Sequence, residues 1–453
     1  MTVAADRESP QQRWPGRSER DRRVFKDRVT PHWFADNSRF WYRNTLPGDT
    51  SEFILVDAER GVRQPAFDHA KLAAALSRAT GTDCQADKLP FDRLEFTPNL
   101  QAVRFPVNDV TWQCDLSTYE CAKGEPLTSA SGDEGDARPR RRPGGDQRPR
   151  QSDRSPDGQW IALVKDHNVF IRSANDDSAQ PIPLSQDGAE GLAYGEVSWA
   201  PDSKTLAAFR VEPGDRKEVH LIQSSPPGGG RARLRSRPYP LPGDKFATYE
   251  LNLFSVTGRK QTKPDVDRFE HEWLSPQPRW SKDGQRFAYE QVDRGHQRLR
   301  VIEIDTRTGN VRNLVDERTQ TFIWTAHAEN LQLSPVTWLE RTDEFIYASE
   351  SNGWRHLYLV DPAAGGVKNP ITSGHWVVRG IDLIDETNRV VWFHAGGVYP
   401  DQDPYLLHYG RASFDGAPPI FLTDGNGNHN LQFSPDRRFL IDTYSRVDQA
   451  PTR

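Results

Sequence analysis

The sequence predicts an all-β fold: an eight-bladed β-propeller of four-stranded antiparallel blades, with one short inserted helix. Three observations predict it. A turn motif recurs eight times along the 453 residues, a second hairpin follows most copies, and the chain carries 33 Gly and 34 Pro. Such a turn-rich composition suits many short strands better than long helices. Thirteen Trp and 21 Phe against a single Met indicate a core of rigid aromatic plates.

The motif places an aromatic residue before a turn centred on Asp, Asn or Gly, and an apolar strand after it. Its clearest copies are RSPDGQWIALV at 154–164, WAPDSKTLAAF at 199–209, WSKDGQRFAYE at 280–290 and FSPDRRFLIDTY at 433–444. Weaker copies start at Trp33, Phe96, Trp338 and Leu383. Pro presets φ, Asp or Asn bonds its own backbone two residues on, and Gly or Asn tolerates the positive φ of a tight hairpin. A second strand and polar turn follow in EFILVDAERG, DVTWQCDLSTYECAKG, NVFIRSANDD, RLRVIEIDTRTG, HLYLVDPAAGG and YLLHYGRASFDG. Two hairpins make a four-stranded blade. The mean spacing of the anchors is about 57 residues, slightly above compact propeller repeats, and insertions fill the difference. Radial repetition covers both faces of each sheet and shelters most edges. A stack of β-sandwiches would not repeat its turn so faithfully.

Three segments depart from the repeat. FDHAKLAAALSRATG at 67–81 is Ala- and Leu-rich, has an Asp near its start and Gly81 after its end, and is expected to form a helix bracing the surface between the first two blades. Residues 128–154 are low in complexity and in apolar side chains, and are expected to be a disordered loop in which the Arg138–Arg142 run is solvated. Residues 224–258 are expected to form an extended arm between the fourth and fifth blades, able to reach another domain or subunit. An N-terminal tail over 1–23 precedes the propeller at 24–453.

The net charge of −5 gives no global attraction to nucleic acid or anionic lipid. Hydrophobic residues are 35% of the chain, and no stretch approaches the roughly 18 apolar residues of a membrane span. Residues 1–23 lack the apolar core of a signal peptide. The default compartment is therefore cytoplasmic, or exported or periplasmic if the true start lies upstream. Three cysteines cannot build a disulfide framework or a four-thiolate zinc site, although Cys114 and Cys121 are placed to face one another across a hairpin.

Catalytic motifs are missing. There is no G-x-S-x-G nucleophile elbow, phosphate loop, H-E-x-x-H zinc helix or Rossmann fingerprint. His271-Glu272 lacks a second His at i+4 and is read as structural, and DGNGNHN at 424–430 fails as a calcium loop at its sixth and twelfth positions. No catalytic residue, metal ligand or cofactor is assigned. Arg355 and His356 stand at a turn–strand junction in SESNGWRHLYLVD, where they either face a central channel or bond a neighbouring blade.

These residues also carry a likeness. The SPDG-type turns, SESNGWRHLYLVD at 349–361, the ITSGHW after it, the closing FSPDRRFLIDTYSRVDQAP and the arm's RPYPLPGDKF resemble the N-terminal propeller of the dipeptidyl peptidase IV family, in the prolyl oligopeptidase group of serine peptidases. The resemblance implies a propeller that caps an α/β-hydrolase domain, gates peptides and docks their amino terminus. The triad of that domain maps onto no residue of this chain, which ends at Arg453, so the chain is expected to be a truncated or split, non-catalytic portion, inactive alone, with its hydrolase domain supplied in cis or trans. Family aminopeptidases hold the substrate amine with adjacent glutamates before the fourth blade. The matching stretch, SQDGAEGLAYGEVSWAPDS, has no such pair, and Glu190 and Glu196 are its candidate substitutes. The implied partners are peptide substrates, the hydrolase domain and a possible second copy. The alternative is a free-standing propeller acting as a protein- or peptide-binding scaffold.

Overall fold

The computed structural model describes residues 25–26, 28–127, 153–176, 178–271, 274–325 and 334–452. The tail expected at 1–23 and all but the last two residues of the loop expected at 128–154 lie outside them. The described chain is nearly all β, with one α-helix, His69–Thr80. The fold class expected from the sequence is the one observed.

Eight blade-type sheets follow one another among the described residues, spanning 32–65, 95–123, 154–183, 193–270, 279–318, 336–370, 377–421 and 428–452. Within each, neighbouring strands pair antiparallel, in unbroken chain order except in the fourth sheet, where an inserted ribbon intervenes; the eighth sheet has three strands among the described residues, and every repeated motif forms the turn between the first and second strands. The turns share one chemistry. Ser155, Ser281 and Ser434 each donate a hydroxyl to the Asp two residues on, at 2.6, 2.6 and 2.7 Å. The same oxygens accept the backbone N–H five residues on, at 2.9, 2.9 and 3.0 Å. The fourth residue after the motif's first position has positive φ in Asn37, Leu100, Gly158, Ser203, Gly284 and Arg437, as a tight hairpin requires. Hydrogen bonds from Ser155 lead in holding the Asp157 carboxyl below its usual range.

The chain divides into two compact units, residues 1–143 with 427–453, and residues 144–426. In the first unit, Gln432 of the eighth sheet donates to the Val29 carbonyl at 3.2 Å, and Ile441 packs against Phe40, Tyr42 and Ile54 of the first. Asp68 caps the helix by accepting from Lys71 N–H at 3.0 Å, and Gly81 ends it in the left-handed region. Rather than bracing the surface, the helix is part of the core. Leu72 and Leu76 are fully buried in one cluster with Phe53, Phe91 and Phe105, because the apolar face of its Ala/Leu run matches the aromatic gap between the first two sheets. Cys114 and Cys121 are bonded as a disulfide between directly opposed strand positions, with Cα atoms 4.1 Å apart.

In the second unit, apolar clusters fill the spaces between successive sheets. Each fully buried Phe, such as Phe209, Phe287, Phe345 or Phe393, contributes on the order of 2–3 kcal/mol. The motif tryptophans also bond backwards: Trp199 Nε1 donates to the Asp153 carbonyl at 3.0 Å, and Trp280 Nε1 to Ser198 Oγ at 2.7 Å. Neighbouring turns are clasped. Asp157 N–H donates to Ser203 Oγ, Lys282 N–H to Asp343, and the N–H groups of Glu340 and Arg341 to Glu386 at 2.6 and 2.7 Å.

The expected arm needs a correction. Thr248–Ser255 pairs with Thr205–Glu212 in unbroken register and is the third strand of the fourth sheet. The insertion therefore lies inside that sheet rather than after it. Its ribbon, Glu218–Gln223 with Arg233–Pro238, pairs only with itself. The 35 residues separating two partner strands hid their pairing from a search for adjacent hairpins.

Candidate functional site

Antiparallel order gives each sheet a turn end, where the repeated motifs lie, and a loop end, where its second strand leads into its third and its last strand leads into the next sheet. At the turn ends the clasps just described join sheets three and four, five and six, and six and seven. At the loop ends the best defined group of charged and aromatic side chains lies between sheets five, six and seven.

Glu317 is on the last strand of sheet five, Val311–Arg318, and its Oε2 accepts two hydrogen bonds from the second strand of sheet six, Phe345–Ser349. Tyr347 Oη donates at 2.7 Å and Ser349 Oγ at 2.5 Å. Burial, then the Glu317 charge, pushes the Tyr347 hydroxyl far above its usual range. Glu290, on the sheet-five strand Arg286–Val292, alternates with Val292 toward the same cluster, and its carboxyl has no hydrogen-bond partner among the described residues. Burial alone raises its pKa to about 7.

Arg355 follows on the connection to His356–Asp361. Its side chain is 9% exposed, its Nη2 meets Glu350 Oε1 at 3.2 Å, and its guanidinium lies 5.6 Å from the Trp324 ring centre. Burial holds its pKa below the usual arginine value, opposed by Glu350 and reinforced by Arg379. The Arg355 carbonyl accepts the Val378 N–H at 2.9 Å, fixing the start of sheet seven beside it. Trp354 stacks on His375 with ring centres 5.8 Å apart.

His356 is fully buried. Its Nε2 donates to the Gly374 carbonyl at 2.9 Å, leaving Nδ1 to accept from Thr372 Oγ1 at 3.0 Å, while that same oxygen accepts the Leu357 N–H. Both ring nitrogens are thus spent on positioning the 372–376 connection, and burial lowers the ring's pKa, favouring the neutral form that this bonding needs. Of the two readings of this junction, His356 bonds the backbone leading into the neighbouring sheet, whereas Arg355 keeps unused donors.

Glu190 and Glu196 lie elsewhere, on the segment entering sheet four. Glu190 is exposed in the turn closed by the Ala189–Leu192 bridge, and Glu196 is exposed at a register shift in Ala193–Trp199 with φ of 46°. No hydrogen bond or ion pair joins them to each other, or to Arg355 or His356, among the described residues. The carboxylates engaged there are Asp187 and Glu250. Asp187 accepts from Tyr194 Oη at 2.9 Å and Arg210 Nη1 at 3.1 Å, and Arg210 Nε donates to Glu250 at 2.8 Å.

The sequence singled out neither Glu290, Glu317, Tyr347 nor Arg379. A charged residue at an inward position of an apolar strand, as Glu290 is in RFAYEQV, was the available signal. No group of three or more His, Cys, Asp or Glu that could hold a metal occurs among the described residues.

Residues 97–451 match the family described as the dipeptidyl peptidase IV (DPP IV) N-terminal region. The chain belongs to this family. Among similar curated proteins is a probable dipeptidyl peptidase 4 of Aspergillus fumigatus, 26% identical over 361 residues, which are 71% of this chain and 43% of that protein. A probable dipeptidyl-aminopeptidase B of Neosartorya fischeri is 24% identical over 64% of this chain and 34% of its own length. The chain thus spans less than half the length of these relatives. Among solved structures, Porphyromonas gingivalis dipeptidyl peptidase 4 aligns with TM-score 0.44 and 16% identity, covering 93% of this chain and 57% of that one. This DPP IV N-terminal-region chain is therefore related to the dipeptidyl peptidases of the serine peptidase group, as its turn motifs and the SESNGWRHLYLVD segment led one to expect.

Proposed function

We propose that this chain is the non-catalytic, substrate-gating part of a dipeptidyl peptidase IV-like serine peptidase, working with an α/β-hydrolase domain in cis or trans. The observation that carries this is the match to the DPP IV N-terminal region over 97–451. The geometry supports it. Clasped turns and packed sheets stiffen the second unit, and its loop ends offer Glu350, Trp324 and Trp354, with the buried Arg355 beside them, to a peptide. Such a frame contributes by excluding bulky substrates and orienting small ones. Titrating the purified chain with Gly-Pro peptides, followed by tryptophan fluorescence, while assaying Gly-Pro chromogenic substrates tests it. Binding without turnover is expected. Turnover by the chain alone would overturn the non-catalytic role, and failure to bind any peptide would overturn the gating role in favour of a scaffold for other partners.

The arm supports a second element of the proposal, contact with a second copy of the chain. Ile222 and Leu234 are directly opposed on the ribbon and are 73% and 69% exposed. They form an exposed apolar pair able to pack against a second ribbon, while the other face sets Arg233, Arg235 and Arg237 opposite Gln223, Leu221 and Val219.

A further inference from the structure

Arg355 and Arg379 are brought together by the step from sheet six to sheet seven. The Val378 N–H is bonded to the Arg355 carbonyl, and Arg379 is the next residue, near enough for its charge to act on Arg355. Two like charges on adjoining residues, one of them largely buried, are unfavourable unless carboxylates offset them. What the structure provides is incomplete. Arg355 has one ion-pair contact, to Glu350, whose side chain is 48% exposed and held by nothing else. Arg379 is half-buried and has neither an ion pair nor a hydrogen bond among the described residues.

We propose that Arg355 and Arg379 form a subsite for a carboxylate of a bound peptide, rimmed by Trp324 and Trp354. This rests on the peptide-gating reading and adds a substrate class to it, peptides bearing an acidic group. A guanidinium presents five N–H donors in a planar fork that fits a carboxylate. Only one donor of Arg355 is engaged, and Glu350 can swing into solvent as the ligand enters. Trp324 covers one face of Arg355, and Trp354 is exposed beside it, so the flanking peptide meets aromatic surface and the ion pair gains from the exclusion of water. The charge count favours a monoanion. Arg355 and Arg379 balance Glu350 and Glu317, so once Glu350 swings into solvent one net positive charge is left, which a carboxylate neutralises and a phosphate dianion exceeds.

The test uses the full chain and three pentapeptides: Gly-Pro-Gly-Glu-Gly amide, its Gln counterpart, and the Gln peptide with a free C-terminal carboxylate. Affinities are measured by tryptophan fluorescence at low and physiological salt, for the wild type, Arg379→Gln and Arg379→Lys. One or both acidic peptides should bind roughly tenfold more tightly than the neutral amide, and which one does so tells a side-chain from a terminal carboxylate. That ratio should collapse in Arg379→Gln and return in part in Arg379→Lys. Equal binding of all three peptides, or a ratio that survives Arg379→Gln, would overturn the subsite and leave the gating role standing. No binding of any of them would overturn both.

Discussion

The Tyr347 hydroxyl donates to Glu317 Oε2 at 2.7 Å, tying the last strand of the fifth sheet to the second strand of the sixth. Ser349 shares the same oxygen. Tyr347→Phe removes one of two donors from a partly buried carboxylate and should cost about 1–2 kcal/mol, read as a lower urea midpoint. Ser349→Ala should do the same, and the double variant should lose more than the sum, because the last donor leaves the charge unsatisfied. Strict additivity would show that solvent already serves Glu317.

Glu290 makes stability depend on pH. Its folded-state pKa of about 7 lies above the ordinary 4.5, so between those values the folded chain holds the proton more tightly than the unfolded one. Its contribution is fully present below about pH 4.5 and is lost as pH rises through 7, a fall on the order of 3 kcal/mol. Glu290→Gln should flatten the slope of stability between pH 5 and 8 and stabilise the chain at pH 8. Parallel profiles for wild type and variant would refute this.

The Cys114–Cys121 bridge closes a short hairpin whose Tyr119 hydroxyl accepts the N–H of Asp68, the cap of the helix. Reduction, or Cys114→Ser with Cys121→Ser, should lower stability by about 2 kcal/mol through the unfolded chain. Hydrogen exchange should quicken first at residues 69–80. Unchanged exchange there would separate the bridge from the helix.

If the arm joins two copies, Ile222→Asp with Leu234→Asp should convert the dimer to a monomer in sedimentation, leaving the fold intact by circular dichroism. A wild-type chain that sediments as a monomer at micromolar concentration would refute the contact.

The sheets were legible because their signal is local. A turn such as SPDG is set by bonds two to five residues apart, as Ser155, Asp157 and Trp160 show, so each copy announces itself within a dozen residues. The helix was equally legible from Asp68 and Gly81, but its burial was not, since that depends on Phe53 and Phe105 far along the chain. The fourth sheet was misjudged where 35 inserted residues separate paired strands. Arg355 was legible as a candidate because it sits in a distinctive segment. Its neighbour Arg379, 24 residues later, was not, because an ordinary arginine in a strand says nothing of what stands across from it.

By itself the sequence determined the repeat, its all-β character and its kinship with the dipeptidyl peptidase IV N-terminal region, all written in contacts within single hairpins. Only the tertiary structure decided which charges meet. It spent both nitrogens of His356 on the backbone, left Glu190 and Glu196 in solvent, and set Arg355 beside Arg379. The reason is physical: hairpin geometry follows from neighbouring dihedrals, whereas the burial and pairing of a charge depend on which distant strands exclude water from it.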